Sequence, residues 1–217
     1  MGYMLLAQVP CKDEPAKKEM IEKYIEEAVS LQKNSPGCEK FAIFTNRNDP
    51  SDLTVYSFEQ FTDKAAADAH MQSDVVKQML NWLATRQPVA GDIKVSKLEV
   101  GEGFSVPTRA EADTHEDPFV AMGVLAYKDG TVPQSMPYWK DVVAISAEEE
   151  GTLSYGIYTN TEDKNQVVAW EVYTSKEYLY DVHAKSDAVQ ANVKNTGHLR
   201  EGLKHTFLKK VGGFFKK

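Results

Sequence analysis

Five histidines occur in the 217-residue chain, and two of them recur in one setting. His70 shares an apolar helical face with Ala66, Ala69 and Ser73, and His183 stands in the same way with Leu179, Val182 and Ser186. An imidazole titrates near neutral pH, so on a pocket wall it can act as base or hydrogen-bond donor. A core histidine satisfied by a backbone carbonyl gives the same pattern, and both readings stay open. Glu59 and Glu171 sit on the strands before these helices. They could act as bases, orient the histidines, or pair with lysines and backbone amides. Trp82 shares a helix with Arg86; facing a pocket, such a pair can stack on an anionic aromatic molecule and counter its charge. Core packing plus a surface charge is the plainer reading of the two. Tyr24, Tyr138, Tyr155 and Tyr173 could each donate a hydrogen bond to an oxyanion.

Other chemistries find no support. No His, Cys or Asp cluster has metal-ligand spacing, and no glycine-rich phosphate loop is present. Cys11 and Cys38 are too few for a disulfide framework and lack a nucleophile signature. The net charge of −7 disfavours nucleic acid as a partner. The N-terminus lacks the basic start of a signal peptide, and no apolar run reaches membrane-spanning length. A cytoplasmic protein with no membrane partner is expected.

The elements that must carry these residues occur twice. Pro36-Gly37-Cys38-Glu39-Lys40-Phe41-Ala42-Ile43-Phe44-Thr45-Asn46 matches Glu150-Gly151-Thr152-Leu153-Ser154-Tyr155-Gly156-Ile157-Tyr158-Thr159-Asn160. Phe58-Glu59 then matches Trp170-Glu171, and the stretch from His70 to Asp74 matches that from His183 to Asp187. Tyr24 falls opposite Tyr138. The preserved order marks an old duplication.

Each copy predicts strand, helix, strand, strand, helices, strand. In copy one these are Met4 to Val9, a helix capped by Asp13, Phe41 to Thr45, Leu53 to Phe61, helices from Asp63 and Val75, and Ile93 to Val100. Copy two repeats this from Phe119. The fold class is therefore α+β, with tandem ferredoxin-like βαββαβ domains at 1–103 and 118–217. Residues 104–117, rich in acidic residues, Thr and Pro, read as a solvated linker.

A strand ending in aromatic-Glu, a capped helix and then Ala-x-x-x-His-x-x-Ser resembles the antibiotic biosynthesis monooxygenase family. Phe58-Glu59, Ala66, His70 and Ser73 carry that resemblance, with Ser35-Pro36-Gly37-Cys38 before them. Copy one matches more fully than copy two, so its pocket is the first expectation. The resemblance implies an intramolecular dimeric α+β barrel, a pseudo-dimer in one chain, with further homo-oligomers left open. It also implies cofactor-independent oxidation of a small, apolar, enolisable or phenolic molecule, polyketide-like or a lipid-derived oxo acid, by molecular oxygen. His70 and His183 would be the bases, with no cofactor. Haem is not expected, because the haem-degrading relatives place a histidine on the second helix where this chain has Met79, Leu80 and Asn81. A non-catalytic small-molecule-binding or stress-response role is the alternative. An apolar pocket holding a histidine beside Trp or Tyr would favour the enzyme.

Overall fold

The computed structural model describes residues 2–217. The chain divides into two compact units, residues 1–97 with 209–217, and residues 98–208. Both have α+β ferredoxin-like element order, in tandem.

Unit 1 begins with β1 (Gly2–Pro10), α1 (Glu14–Asn34), β2 (Cys38–Asn46) and β3 (Thr54–Phe61). The helices α2 (Lys64–Met71) and α3 (Asp74–Arg86) follow, then β4 (Lys94–Val100). β3 is the central partner, antiparallel to both β1 and β2. Side chains alternate across a strand. One face therefore presents Leu5, Phe41, Ile43 and Phe61 to Met20, Tyr24, Ala28 and Leu31 of α1, an apolar stripe at helical spacing. Asp13 caps α1 through the Ala16 amide, with Pro15 in its first turn, as the sequence predicts.

Unit 2 contains α4 (Glu111–Thr114), β5 (Phe119–Tyr127), α5 (Val132–Glu148), β6 (Thr152–Asn160) and β7 (Gln166–Tyr173). Then come α6 (Lys176–Asp181), α7 (Asp187–Thr196) and β8 (Arg200–Phe214). β7 is central here, pairing with β5 and β6, and β5 pairs with residues 200–208 of β8. The order β8-β5-β7-β6 is that of a ferredoxin-like sheet.

The compact units end elsewhere than at 103 and 118. Leu98 and Glu99 pair with Asn160 and Thr159 in unit 2, whereas Phe214 joins the unit 1 core. The segment expected as a solvated linker also packs against unit 2. The Val106 and Arg109 amides donate to Tyr155 and Leu153, and Val106, Thr108 and Ala112 are buried. Its apolar side chains outweigh the acidic residues between them.

One glycine match has a steric cause. A Cβ on Gly37 would come 2.7 Å from the Ala66 Cβ, and one on Gly151 would come 2.3 Å from the Tyr178 ring. In each unit the turn before the second strand passes under the start of the next helix. The Thr62 amide donates to Gly37 and the Thr174 amide to Gly151, both at 2.9 Å.

Candidate functional site

The His-x-x-Ser motif sits at a break between helices. Ser73 caps α3 by accepting from the Val76 amide, and Ser186 caps α7 from Val189. Their own amides donate back to His70 and His183 carbonyls at 2.9 and 3.0 Å. These serines are caps, so they do not extend the apolar face the spacing suggested. Ala67, rather than the exposed Ala69, shares the buried side with His70, and Val182 beside His183 is 44% exposed. The break aims both imidazoles at the sheet, and both are buried.

The two histidines then meet different surroundings. In unit 1, His70 stacks on Phe61 at 5.2 Å and meets Phe41 edge-on at 6.5 Å. Its Nε2 lies 3.5 Å from Glu27 and 3.4 Å from Glu59, while Nδ1 is buried without a partner. Ser57 donates to Glu59 at 3.0 Å. Burial, then the nearby Glu59, pushes the Glu27 carboxyl up to about 8. Tyr24 is buried against this cluster, which drives its hydroxyl well above the ordinary value. Rings and carboxyl groups thus occupy the space around His70.

Unit 2 substitutes tyrosines for both phenylalanines. His183 lies between Tyr155 and Tyr173, at 5.2 and 5.3 Å. Its Nδ1 is 2.9 Å from Glu149 Oε2, which also accepts from the Thr152 hydroxyl at 2.6 Å. In the tautomer that carries its proton on Nδ1, His183 donates to Glu149 and Nε2 keeps its lone pair. Tyr173 donates to Glu171 Oε2 at 2.8 Å. Glu171 is pushed up by burial, partly offset by His183. Burial, then Glu171, also drives the Tyr155 and Tyr173 hydroxyls well above their ordinary range, so both remain neutral donors.

Beside His183 is a cavity of about 180 Å³ between the unit 2 sheet and its helices. Leu125, Val142, Leu179, Val189 and Trp139 supply apolar wall, and Tyr155, Glu171, His183, Asn192, Arg200 and His205 supply polar groups. Tyr180, Val193 and Leu203 also line it and are 45%, 51% and 45% exposed, which gives it an apolar rim. The Arg200 guanidinium lies over the Trp139 ring at 5.5 Å. Trp139 in turn donates to Tyr127 at 2.8 Å.

The structure therefore gathers His183, Tyr155, Tyr173 and Glu171 in one place, and His70, Tyr24 and Glu59 in another. Trp82 stands apart, lining a groove between α1 and α3 with Glu27 and Met79. Arg86 is exposed and forms an ion pair with Glu19 at 2.8 Å, and Tyr138 is half-buried outside the cavity lining. The Trp–Arg pair sought at Trp82 and Arg86 exists at Trp139 and Arg200. The expectation that copy one would hold the pocket is corrected: the histidine-bearing apolar cavity is in unit 2, because Phe41, Phe61 and Glu27 crowd His70.

Sequence reasoning missed Glu27, Glu149, Asn192 and Arg200. Glu27 carried a signal, since it interrupts the stripe formed by Tyr24, Ala28 and Leu31. Glu149 carried none within the acidic run Glu148-Glu149-Glu150. Among the described residues no group of three or more His, Cys, Asp or Glu is arranged to hold a metal. No described helix is long and apolar enough to cross a membrane. Cys11 and Cys38 are buried free thiols, pushed up to about 11 and about 12 by burial.

The family model described as antibiotic biosynthesis monooxygenase matches residues 4–82 and again 118–195. Among solved structures, the chain is similar to a candidate monooxygenase from Lactobacillus acidophilus NCFM, with TM-score 0.79 and 16% identity over 96% of this chain and 93% of that one. A candidate monooxygenase from Fusobacterium nucleatum subsp. nucleatum gives TM-score 0.77 and 18% identity, over 100% of this chain and 98% of that one. An anthrone oxidase-like protein gives 0.66 and 12%, over 97% and 91%. At these identities the likeness is one of fold. No curated protein matches the chain.

Proposed function

The chain belongs to the antibiotic biosynthesis monooxygenase family, and from that premise we propose that unit 2 is a cofactor-independent monooxygenase for a small enolisable or phenolic molecule. The observation that carries this reading is His183, held by Glu149, on the wall of an apolar cavity shared with Trp139 and Tyr155. Triplet oxygen reacts slowly with closed-shell molecules, so the substrate must first become an electron donor. A base in a dry cavity does this by deprotonation.

His183 Nε2 takes the proton, and the Nδ1–H bond to Glu149 steadies the imidazolium. The substrate anion passes an electron to oxygen, and the radical pair combines to a peroxide, which takes a proton back. For a CH₂ group, loss of water then leaves a carbonyl. One O₂ is consumed; one of its atoms enters the product and the other leaves as water.

Size narrows the substrate. A closed apolar cavity of about 150 Å³ admits benzene, so about 180 Å³ suits one substituted ring or a short branched chain. A rigid three-ring substrate exceeds it. His70 has no part in this reading; its packed surroundings support a structural role.

Oxygen uptake on a panel of one-ring phenols and enolisable ketones tests the reading, with ¹⁸O₂ and mass analysis of product. Label is expected in product, and His183→Ala is expected to slow uptake by about 10²-fold or more. Ligand binding without oxygen consumption across the panel would leave the binding role in its place.

A further inference from the structure

Two buried donors on the unit 2 cavity wall are unspent. Asn192 is only 1% exposed, yet its Nδ2 has no hydrogen-bond partner. Arg200 Nε is likewise buried and unpaired. Both residues line the cavity that holds His183. Leaving such donors unpaired costs about 1–3 kcal/mol each, more for a charged group.

Their orientation is fixed by neighbours. Arg200 Nη2 donates to Asn192 Oδ1 and, at 3.0 Å, to Thr196 Oγ1. Thr196 in turn donates to the Asn192 carbonyl at 2.7 Å. With Oδ1 committed to the guanidinium, the Asn192 amide turns its N–H groups away from it. The Trp139 ring beneath Arg200 holds the guanidinium plane and offers a flat apolar surface beside it. No carboxylate lies within ion-pair distance of Arg200 among the described residues, so its charge is balanced by no close anion.

We propose that Asn192 and Arg200 form a carboxylate-binding subsite, and that the ligand of unit 2 is a small monocarboxylate with an apolar, one-ring-sized body. A planar carboxylate supplies acceptors for both unspent donors and the missing negative charge. The apolar walls formed by Leu125, Val142 and Val189 take the body. This rests on the monooxygenase reading only in naming the substrate class; the subsite itself needs no oxygen chemistry.

Calorimetric titration of the full chain with benzoate, benzamide and phenol, without turnover, tests it. Benzoate is expected to bind at least 10-fold more tightly than benzamide, its neutral counterpart, or phenol. Asn192→Asp keeps an acceptor for Arg200 but replaces the free donor with an anionic oxygen; it is expected to weaken benzoate at least 10-fold and leave benzamide within 3-fold. Arg200→Gln should act in the same direction, with circular dichroism confirming that each variant is folded. Equal affinity for benzoate and benzamide, or equal losses for both in Asn192→Asp, overturns the subsite. The two readings fail separately: benzoate selectivity without oxygen uptake removes the monooxygenase and keeps the subsite, whereas oxygenation of neutral phenols with no carboxylate preference does the reverse.

Discussion

His183 and Glu149 form a buried pair, Nδ1 to Oε2 at 2.9 Å, that joins the helical break after α6 to the C-terminal end of α5. The same carboxylate oxygen holds the Thr152 hydroxyl. Glu149→Ala would strip two buried donors of their acceptor while removing the unpartnered Oε1. A loss of about 1–3 kcal/mol is expected in urea denaturation. Thr152→Val, which removes one donor and leaves the His183 bond, should cost less. If Glu149→Ala matches the parent in stability, the pair does not hold the histidine in place.

Glu27 should make stability depend on pH. It keeps its proton in the folded chain up to about pH 8 and loses it near 4.5 when unfolded. Between those values the folded state binds more protons, so this group's contribution is greatest below about 4.5, falls as pH rises, and levels off above about 8. The swing is on the order of a few kcal/mol. Glu27→Gln is expected to flatten the profile and to be the more stable protein at pH 8. Parallel urea midpoints for parent and variant at pH 5, 6.5 and 8 would count against the buried proton.

Filling the unit 2 cavity should separate binding from folding. Ala169 lines it on β7. Ala169→Leu projects three more carbons into about 180 Å³ of space, so stability is expected to shift by less than about 1.5 kcal/mol. Benzoate binding should fall below detection by calorimetry. Undiminished binding would show that ligands sit elsewhere.

Gly213 should tolerate no side chain. Its φ of +78° favours glycine, and a Cβ there would stand 2.0 Å from the Phe41 carbonyl oxygen. Gly213→Ala is expected to cost at least about 2 kcal/mol, strain plus clash. Limited proteolysis should then cut after Lys209 or Lys210 faster than in the parent; an unchanged digestion rate would refute the prediction.

The local features were legible in the sequence. Caps at Asp13 and Asp63, the stripe from Met20 to Leu31, and the paired Gly37 and Gly151 follow from spacing and backbone chemistry. The site was legible only in part. His183, Tyr155, Tyr173 and Glu171 recur with the repeat, so alignment of the copies found them. Arg200 meets Trp139 across a long separation in sequence, and no periodicity links a residue at the start of β8 to one on α5. The position of the cavity depended on summed side-chain volume. Motif agreement favoured copy one, but the Phe41 and Phe61 rings and the buried Glu27 close the space around His70. Similar backbones with different fillings read alike at the level of motifs.

Residues 209–217 belong to unit 1 although all of unit 2 precedes them in the chain. On the ribosome, β1 to β3 emerge first, yet the segment that contributes Phe214 to their core arrives only after residues 98–208 have been made. Domains commonly fold in the order they are synthesised. Here the first unit must wait with that part of its core open until residues 209–217 have been made, and synthesis of the whole second unit sets the length of that wait.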